Sequence, residues 1–192
     1  MSVSASSRRP AVGSGEQNVV YLNDGSGSFA TGTKNFGTGS DQTRSVALGD
    51  VENDGDLDIA VGNYLQQNVV YLNDGSGNFS TGNNFDANGS RSEDVIWADV
   101  DGDNDLDLAI GSDASSASLL AINDGSGGFA TTINIGDASA STQDIALADV
   151  DGDGDLDAAL GNSSQQNVLY ENIGGAGLSE TQVASGLTGV QT

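Results

Sequence analysis

The chain is built from a repeated sequence unit, and this repeat limits the folds that are open to it. An acidic stretch of nine residues recurs as DVENDGDLD at 50–58, DVDGDNDLD at 99–107 and DVDGDGDLD at 149–157. A second marker, NVVYLNDGSG in its clearest copies, recurs in constant phase with the first. The two markers divide the 192 residues into four units: 1–43, 44–92, 93–142 and 143–192.

Each unit has the pattern of four short β-strands. In the second unit these are predicted at Ser45–Gly49, Leu57–Gly62, Asn68–Asn73 and Phe79–Phe85, with an Asn-Asp-Gly hairpin turn between the last two. Glycine-rich turns without helical periodicity indicate an all-β chain. Four-stranded units that repeat at this length are typical of propeller blades. The sequence therefore predicts one β-propeller domain of four four-stranded blades; a parallel β-helix is the structural alternative, but its repeats are shorter.

Most of the charge is concentrated in the acidic stretches. They contain fifteen of the 28 acidic residues, against only 5 basic residues in the chain, and the formal net charge is -23. Cysteine and histidine are absent, which excludes disulfides, thiolate or imidazole metal sites and histidine-dependent catalysis. So few bases argue against nucleic-acid binding, and no apolar run is long enough to span a membrane.

The spacing of the acids within each stretch predicts calcium binding. Acids occupy positions 1, 3, 5, 7 and 9, so a tight loop can direct several carboxylates and one backbone carbonyl, that of position 7, toward a single ion. Calcium takes six to eight oxygen ligands. Position 6 must turn sharply, and Gly55, Asn104 and Gly154 are residue types that accept a positive φ. An EF-hand is excluded because position 12, where it needs a glutamate, is Val61, Ile110 or Leu160.

About three calcium ions per chain are therefore predicted, one in each acidic stretch. The glutamate at position 3 of the first stretch is longer than aspartate and is expected to weaken that site. The candidate ligands are Asp50, Glu52, Asp54, Asp56, Asp58, Asp99, Asp101, Asp103, Asp105, Asp107, Asp149, Asp151, Asp153, Asp155 and Asp157.

With their flanking apolar runs, these stretches resemble the FG-GAP and VCBS-type repeats that form the blades of integrin alpha-subunit propellers and of many secreted propellers. The matching segments are VALGDVENDGDLDIAVGN at 46–63, IWADVDGDNDLDLAIGS at 96–112 and LADVDGDGDLDAALGN at 147–162. The resemblance implies calcium held between the first two strands of a blade. The first unit matches only after residue 11 and has Arg8 and Arg9 where the loop should be, so no calcium is expected there.

The leading functional hypothesis is a calcium-stabilised, non-catalytic module for adhesion or recognition in an extracellular setting. Its ligand, a protein or a glycan, is expected on the face opposite the calcium loops. The alternatives are a lectin that uses Tyr64 as an aromatic platform, and a non-catalytic fragment of a larger secreted propeller or polysaccharide-degrading enzyme. Trp97 lies in a predicted first strand and is interpreted as a core or channel residue.

The regularity of the repeat also suits a minimal or engineered propeller, and two ways of closing its ring remain open. In the first, closure lies within one chain, where residues 187–192 lead in phase into Met1–Ala5 and the two segments complete a blade side by side. Closure could instead pass between chains, by self-association into a larger ring such as an eight-bladed dimer.

Overall fold

The computed structural model describes residues 3–6, 17–29, 33–86, 90–113, 115–163 and 165–172. Within these ranges the chain forms fourteen strands and no helix. The strands are β1 (Val3–Ser6), β2 (Asn18–Leu22), β3 (Thr33–Phe36), β4 (Thr43–Gly49), β5 (Asp58–Asn63), β6 (Val69–Asn73), β7 (Phe79–Asn84), β8 (Ser92–Ala98), β9 (Asp107–Ser112), β10 (Ser118–Ile122), β11 (Thr131–Ile135), β12 (Thr142–Ala148), β13 (Asp157–Asn162) and β14 (Val168–Tyr170).

The strands form four antiparallel sheets, one from each sequence unit. In each sheet the neighbours follow chain order: β1–β3 form sheet 1, β4–β7 sheet 2, β8–β11 sheet 3 and β12–β14 sheet 4. The all-β prediction is confirmed, and sheets 2 and 3 have the expected four strands. Sheets 1 and 4 have three strands in the described part of the chain. The strands predicted for the second unit agree with β4 to β7 to within two residues at each end.

The first unit begins with a strand that departs from the phase of the repeat. Strand β1 pairs with β2, with Ala5 opposite Val20, as Ala60 lies opposite Val70 in sheet 2. It thus takes the place of a second strand, which the repeat phase assigns to residues 11–14. The alternating Val-Ser-Ala-Ser sequence suits a strand in this place equally well. Residues 11–14 and 187–192 lie outside the described residues.

The hydrophobic core lies between successive sheets. Three clusters of buried side chains join sheet 1 to sheet 2, sheet 2 to sheet 3, and sheet 3 to sheet 4. Strands β5 and β9 are buried at every residue because both of their faces are covered. This explains why their sequences are nearly continuous apolar runs, whereas an exposed sheet face would alternate with polar residues.

The predicted hairpin turns follow the third strands. Gly25, Gly75 and Gly125 have φ of 89°, 75° and 80°, the left-handed region that the Asn-Asp-Gly sequence favours. The preceding asparagine closes each turn by accepting backbone N–H groups through its side-chain oxygen. These hairpins and the acidic stretches lie at the same ends of their sheets.

Candidate metal centres

The acidic stretches form three loops, each of which joins the first strand of a sheet to its second. Loop 1 (50–58) connects β4 to β5, loop 2 (99–107) connects β8 to β9, and loop 3 (149–157) connects β12 to β13. The prediction that the acids lie between first and second strands is confirmed. The last aspartate of each loop is also the first residue of the second strand.

Position 1 folds each loop back on itself. The carboxylate of Asp99 accepts hydrogen bonds from the backbone N–H groups of Gly102 (2.8 Å) and Asn104 (3.0 Å), one on each oxygen. Asp149 accepts the equivalent pair in loop 3, from Gly152 and Gly154. In loop 1 the pair is shifted, because Asp50 accepts from Asp54 and Gly55. Because each oxygen has two lone pairs, these carboxylates keep acceptor capacity for a cation.

The sharp turn expected at position 6 is present in all three loops. Gly55, Asn104 and Gly154 have φ of 93°, 73° and 99°. Asn104 is therefore a non-glycine residue in the left-handed region, as its place in the repeat predicted. This turn returns the chain toward position 1, whose carboxylate accepts the backbone N–H group of the position-6 residue in each loop.

Position 9 is a buried carboxylate that joins three segments of its sheet. Asp107 is 0% exposed and accepts N–H groups from Val100 (2.9 Å) and Asn123 (2.8 Å). Asp58 and Asp157 repeat this arrangement. Burial raises the pKa of Asp107 to about 6, and burial likewise raises the pKa of Asp58. An added positive charge would favour the ionised form of these carboxylates.

Loops 2 and 3 bring carboxylates together closely enough to share one cation. In loop 2, one oxygen from each of Asp99, Asp101 and Asp107 lies within 4.8 Å of the other two. In loop 3, the same holds for Asp149, Asp151 and Asp153. Burial and the neighbouring charge of Asp103 raise the pKa of Asp101. Loop 1 is fully described and contains no such group of three, so its five predicted ligands are not brought together in this way.

The side chains at position 7 lie beside the hairpin turns and not within the groups of three carboxylates. A Cβ atom on Gly75 would lie 2.6 Å from the carboxylate of Asp56, and one on Gly125 would lie 2.6 Å from that of Asp105. The Asp105 carboxylate also accepts a hydrogen bond from Asn53 of loop 1. The position-7 side chains thus lie against the hairpin turns, and these two residues, like Asp155, belong to neither group of three.

Sequence reasoning missed one set of residues that connects the loops to neighbouring sheets. The buried Asn123 side chain donates to the backbone oxygen of Val51 in loop 1 (2.9 Å), and Asn172 donates to that of Val100 in loop 2 (3.0 Å). The signal was present: the fourth unit keeps this asparagine but loses the aspartate of the following turn, which is replaced by Ile173. The asparagine therefore does more than form the hairpin.

The basic residues of the described chain lie away from the acidic loops. Lys34 donates to the side chain of Asn78, while Arg44 and Arg91 stack on the Tyr64 ring, at 4.8 and 5.6 Å from its centre. The single ion pair among the described residues joins Arg44 and Glu93. No loop carboxylate is therefore neutralised by a base in this part of the chain; Arg8 and Arg9 lie outside it.

The aromatic residues considered for sugar binding have structural partners. Tyr64 lies at the opposite ends of the sheets from the acidic loops, and its ring is already in contact with two guanidinium groups. Trp97 packs near Phe129 in the cluster between sheets 2 and 3, as interpreted from the sequence.

Comparison with known protein families agrees with the repeat and the loop positions. A family model described as an FG-GAP-like repeat matches residues 11–61, 52–110 and 99–160, which together cover more than half of the chain. The chain belongs to the FG-GAP-like repeat family. The FG-GAP-like matches begin at residue 11, where the resemblance in the first unit begins, and adjoining matches overlap at loops 1 and 2.

No curated protein matches the chain significantly. None of the described residues forms a helix that is long and apolar enough to cross a membrane.

Proposed function

We propose that this FG-GAP-like chain is a calcium-stabilised propeller module with a structural, adhesion or recognition role and no catalytic activity. The observation that carries the proposal is the grouping of three carboxylates in loop 2 and again in loop 3, with no basic side chain of the described residues beside them. Like charges held this close repel each other unless a cation lies among them.

The donor atoms favour calcium over other metals. Every candidate side-chain ligand is a carboxylate oxygen, and a backbone carbonyl at position 7 would add another oxygen. Calcium accepts six to eight such ligands in variable geometry, whereas magnesium prefers to keep several of its waters. Loops 2 and 3 fit best, and loop 1 is the weaker candidate because it lacks the group of three.

A bound ion would act as a brace between blades. Each loop joins the first two strands of its own sheet. The Val51 and Val100 carbonyls connect loops 1 and 2 to the next sheet through Asn123 and Asn172. Neutralising the loop carboxylates would therefore stiffen the junction between sheets. An extracellular location, where calcium is millimolar, suits such a module, and its ligand would bind on the opposite face.

The test is a calcium titration of the full chain by calorimetry, together with thermal unfolding in calcium and in EDTA. At a calcium concentration 100 times the Kd, binding at one site should stabilise the fold by about 2.7 kcal/mol. The variants Asp99→Asn and Asp149→Asn should each remove one site. Asp137→Asn, in an exposed turn outside the loops, is the matched control and should leave binding unchanged. Fewer than two bound ions in the unmodified chain would reject the proposal.

A further inference from the structure

Sheets 1 and 4, the first and last in the row of four sheets, each have an exposed face. The same two kinds of face pack against each other wherever successive sheets meet inside the molecule. The tail face is the side of sheet 4 that points away from sheet 3. The head face is the side of sheet 1 that points away from sheet 2. Inside the array, the faces that correspond to them are covered by the neighbouring sheet.

The tail face contains a small apolar residue whose equivalents in sheets 2 and 3 are buried. Ala159 is exposed, whereas its equivalents Ala60 and Ala109 are 0% exposed because the next sheet covers them. A groove of about 460 Å³ runs along this face, with Asp144, Ala146 and Gly161 among its lining residues.

Gly161, which lines the groove, contacts no neighbouring sheet of the described residues, unlike its equivalents in sheets 2 and 3. A Cβ on Gly62 would meet Val95 of sheet 3, and one on Gly111 would meet Thr142 of sheet 4. A Cβ on Gly161 would meet only Asp144 of its own sheet. The tail face therefore has the shape that receives a neighbouring sheet, and no sheet of the described residues covers it.

The head face has the complementary exposure. Tyr21 is 39% exposed, although its equivalents Tyr71 and Tyr170 are 6% and 4% exposed. Val20, the preceding residue in β2, is buried against sheet 2, so Tyr21 points to the other side. Tyr71 and Tyr170 are buried because each faces the preceding sheet, and Tyr21 is the residue that lacks one.

The internal interfaces show which residues of the two faces fit together. Between sheets 3 and 4, Ala109 and Tyr170 belong to one buried cluster. Between sheets 2 and 3, Ala60 and Ala121 occupy the same two places. By this equivalence the partner of Ala159 is a residue in the place of Tyr21.

We infer that two copies of this chain associate head to tail, the tail face of each covering the head face of the other. Among the described residues of one chain, both faces are exposed at the same time, so its own sheet 1 does not cover its sheet 4. A head-to-tail contact either closes into a ring or continues as an open chain of copies. Two copies of four sheets close a two-fold ring of eight, which lies within the range of about 4–8 blades known for propellers.

The oligomeric state of the full chain tests this inference. Sedimentation equilibrium in millimolar calcium should give twice the chain mass of 19.3 kDa. The variants Ala159→Arg and Tyr21→Arg place a charge in the centre of the tail and head faces and should each give a monomer. Ala130→Arg, at an exposed position before β11, is the matched control and should stay dimeric. Far-ultraviolet circular dichroism should show that all three variants keep their strands.

A cross-linking experiment separates a second copy from closure within one chain. The chain has no cysteine, so Tyr21→Cys combined with Ala159→Cys provides a single pair of thiols for a short bismaleimide. Cross-linked dimers support the inference. A cross-link within one chain, a monomeric mass at all concentrations, or a mass that grows without limit would each overturn it. The result does not depend on the calcium proposal, because a dimer supports the inference whether or not it persists in EDTA.

Discussion

The side-chain amide of Asn53 donates a hydrogen bond of 2.6 Å to the carboxylate of Asp105, which joins loop 1 to loop 2. Asn53 is at position 4 of its loop and has a φ of 56°. The corresponding residues in loops 2 and 3 are Gly102 and Gly152, which have no side chain for such a bond. Loop 1 therefore has a side-chain contact to its neighbour that loop 2 cannot make.

We predict that Asn53 and Asp105 are energetically coupled. Asn53→Gly removes the donor without straining a backbone that already has a positive φ, and Asp105→Ala removes the acceptor. A double-mutant cycle on the free energy of unfolding, at fixed calcium, should give a coupling of about 1 kcal/mol. Additive effects, within about 0.4 kcal/mol, would mean that the bond does not stabilise the fold.

The second prediction concerns the buried asparagine that connects sheets 2 and 3. Asn123→Ala should destabilise the protein by about 3 kcal/mol, because the carbonyl oxygen of Val51 loses its donor in a buried site. Asn73→Ala is the matched control: its side chain accepts the same two hairpin N–H groups as Asn123, but among the described residues it donates only to Leu57 of its own loop. Its loss should therefore cost less, about 1 kcal/mol. Urea unfolding measures both, and equal losses would contradict a role between sheets.

The third prediction is a pH dependence whose sign calcium reverses. Burial raises the pKa of Asp107 to about 6, and burial is also the main cause of the raised pKa values of Asp58, Asp86 and Asp101. The folded protein holds these protons more tightly than the unfolded chain, so this stability is present below about pH 4 and is lost as the pH rises toward 6. In EDTA, the free energy of unfolding should therefore fall between about pH 4 and about pH 6.

With calcium the carboxylates must be ionised to bind the metal, so stability should instead rise over the same range. The aspartates of exposed turns do not disturb this comparison. Hydrogen bonds from Ser26 and Asn78 are the main cause of the lowered pKa values of Asp24 and Asp74. These two carboxyl groups therefore affect the free energy of unfolding only below about pH 4. Urea unfolding at several pH values in EDTA and in calcium measures the effect. Stability that rises with pH in EDTA would contradict the predicted direction.

The repeat predicted which residues are equivalent but could not predict which units touch. It placed β4 to β7, the three loops and the positive φ of Asn104 correctly, because these depend on local pattern and turn chemistry. The contact of Asn53 with Asp105 spans 52 residues, and that of Asn123 with Val51 spans 72. Such contacts depend on how neighbouring sheets pack, and a residue type alone does not encode that.

The first unit shows a second limit of the sequence pattern. Residues 3–6 and 11–14 both suit a short second strand, and the repeat phase favoured the latter. The structure pairs Val3–Ser6 with β2. A segment of four short residues carries too little apolar patterning to fix its strand partner. In this unit the repeat phase therefore indicated residues 11–14, whereas the strand that pairs with β2 is residues 3–6.

The last prediction is that loop 1 can be given the higher calcium affinity that we expect of loop 3. Two changes, Glu52→Asp and Asn53→Gly, give loop 1 the sequence DVDGDGDLD of loop 3. The shorter carboxylate at position 3 and the glycine at position 4 should allow the grouping of three acids that loop 3 has and loop 1 lacks. Calorimetry should then show a tenfold or greater gain in the calcium affinity of the weakest site.

The reciprocal change in loop 3, Asp151→Glu with Gly152→Asn, is the matched control and should weaken one site by a similar factor. Because Asn53 also holds Asp105, the change in loop 1 should lower stability in EDTA while it raises stability in calcium. A change of the same sign in both conditions would show that the grouping of acids and the bond between loops are not separate effects. Unchanged affinity in both variants would show that position 3 does not set the strength of these sites.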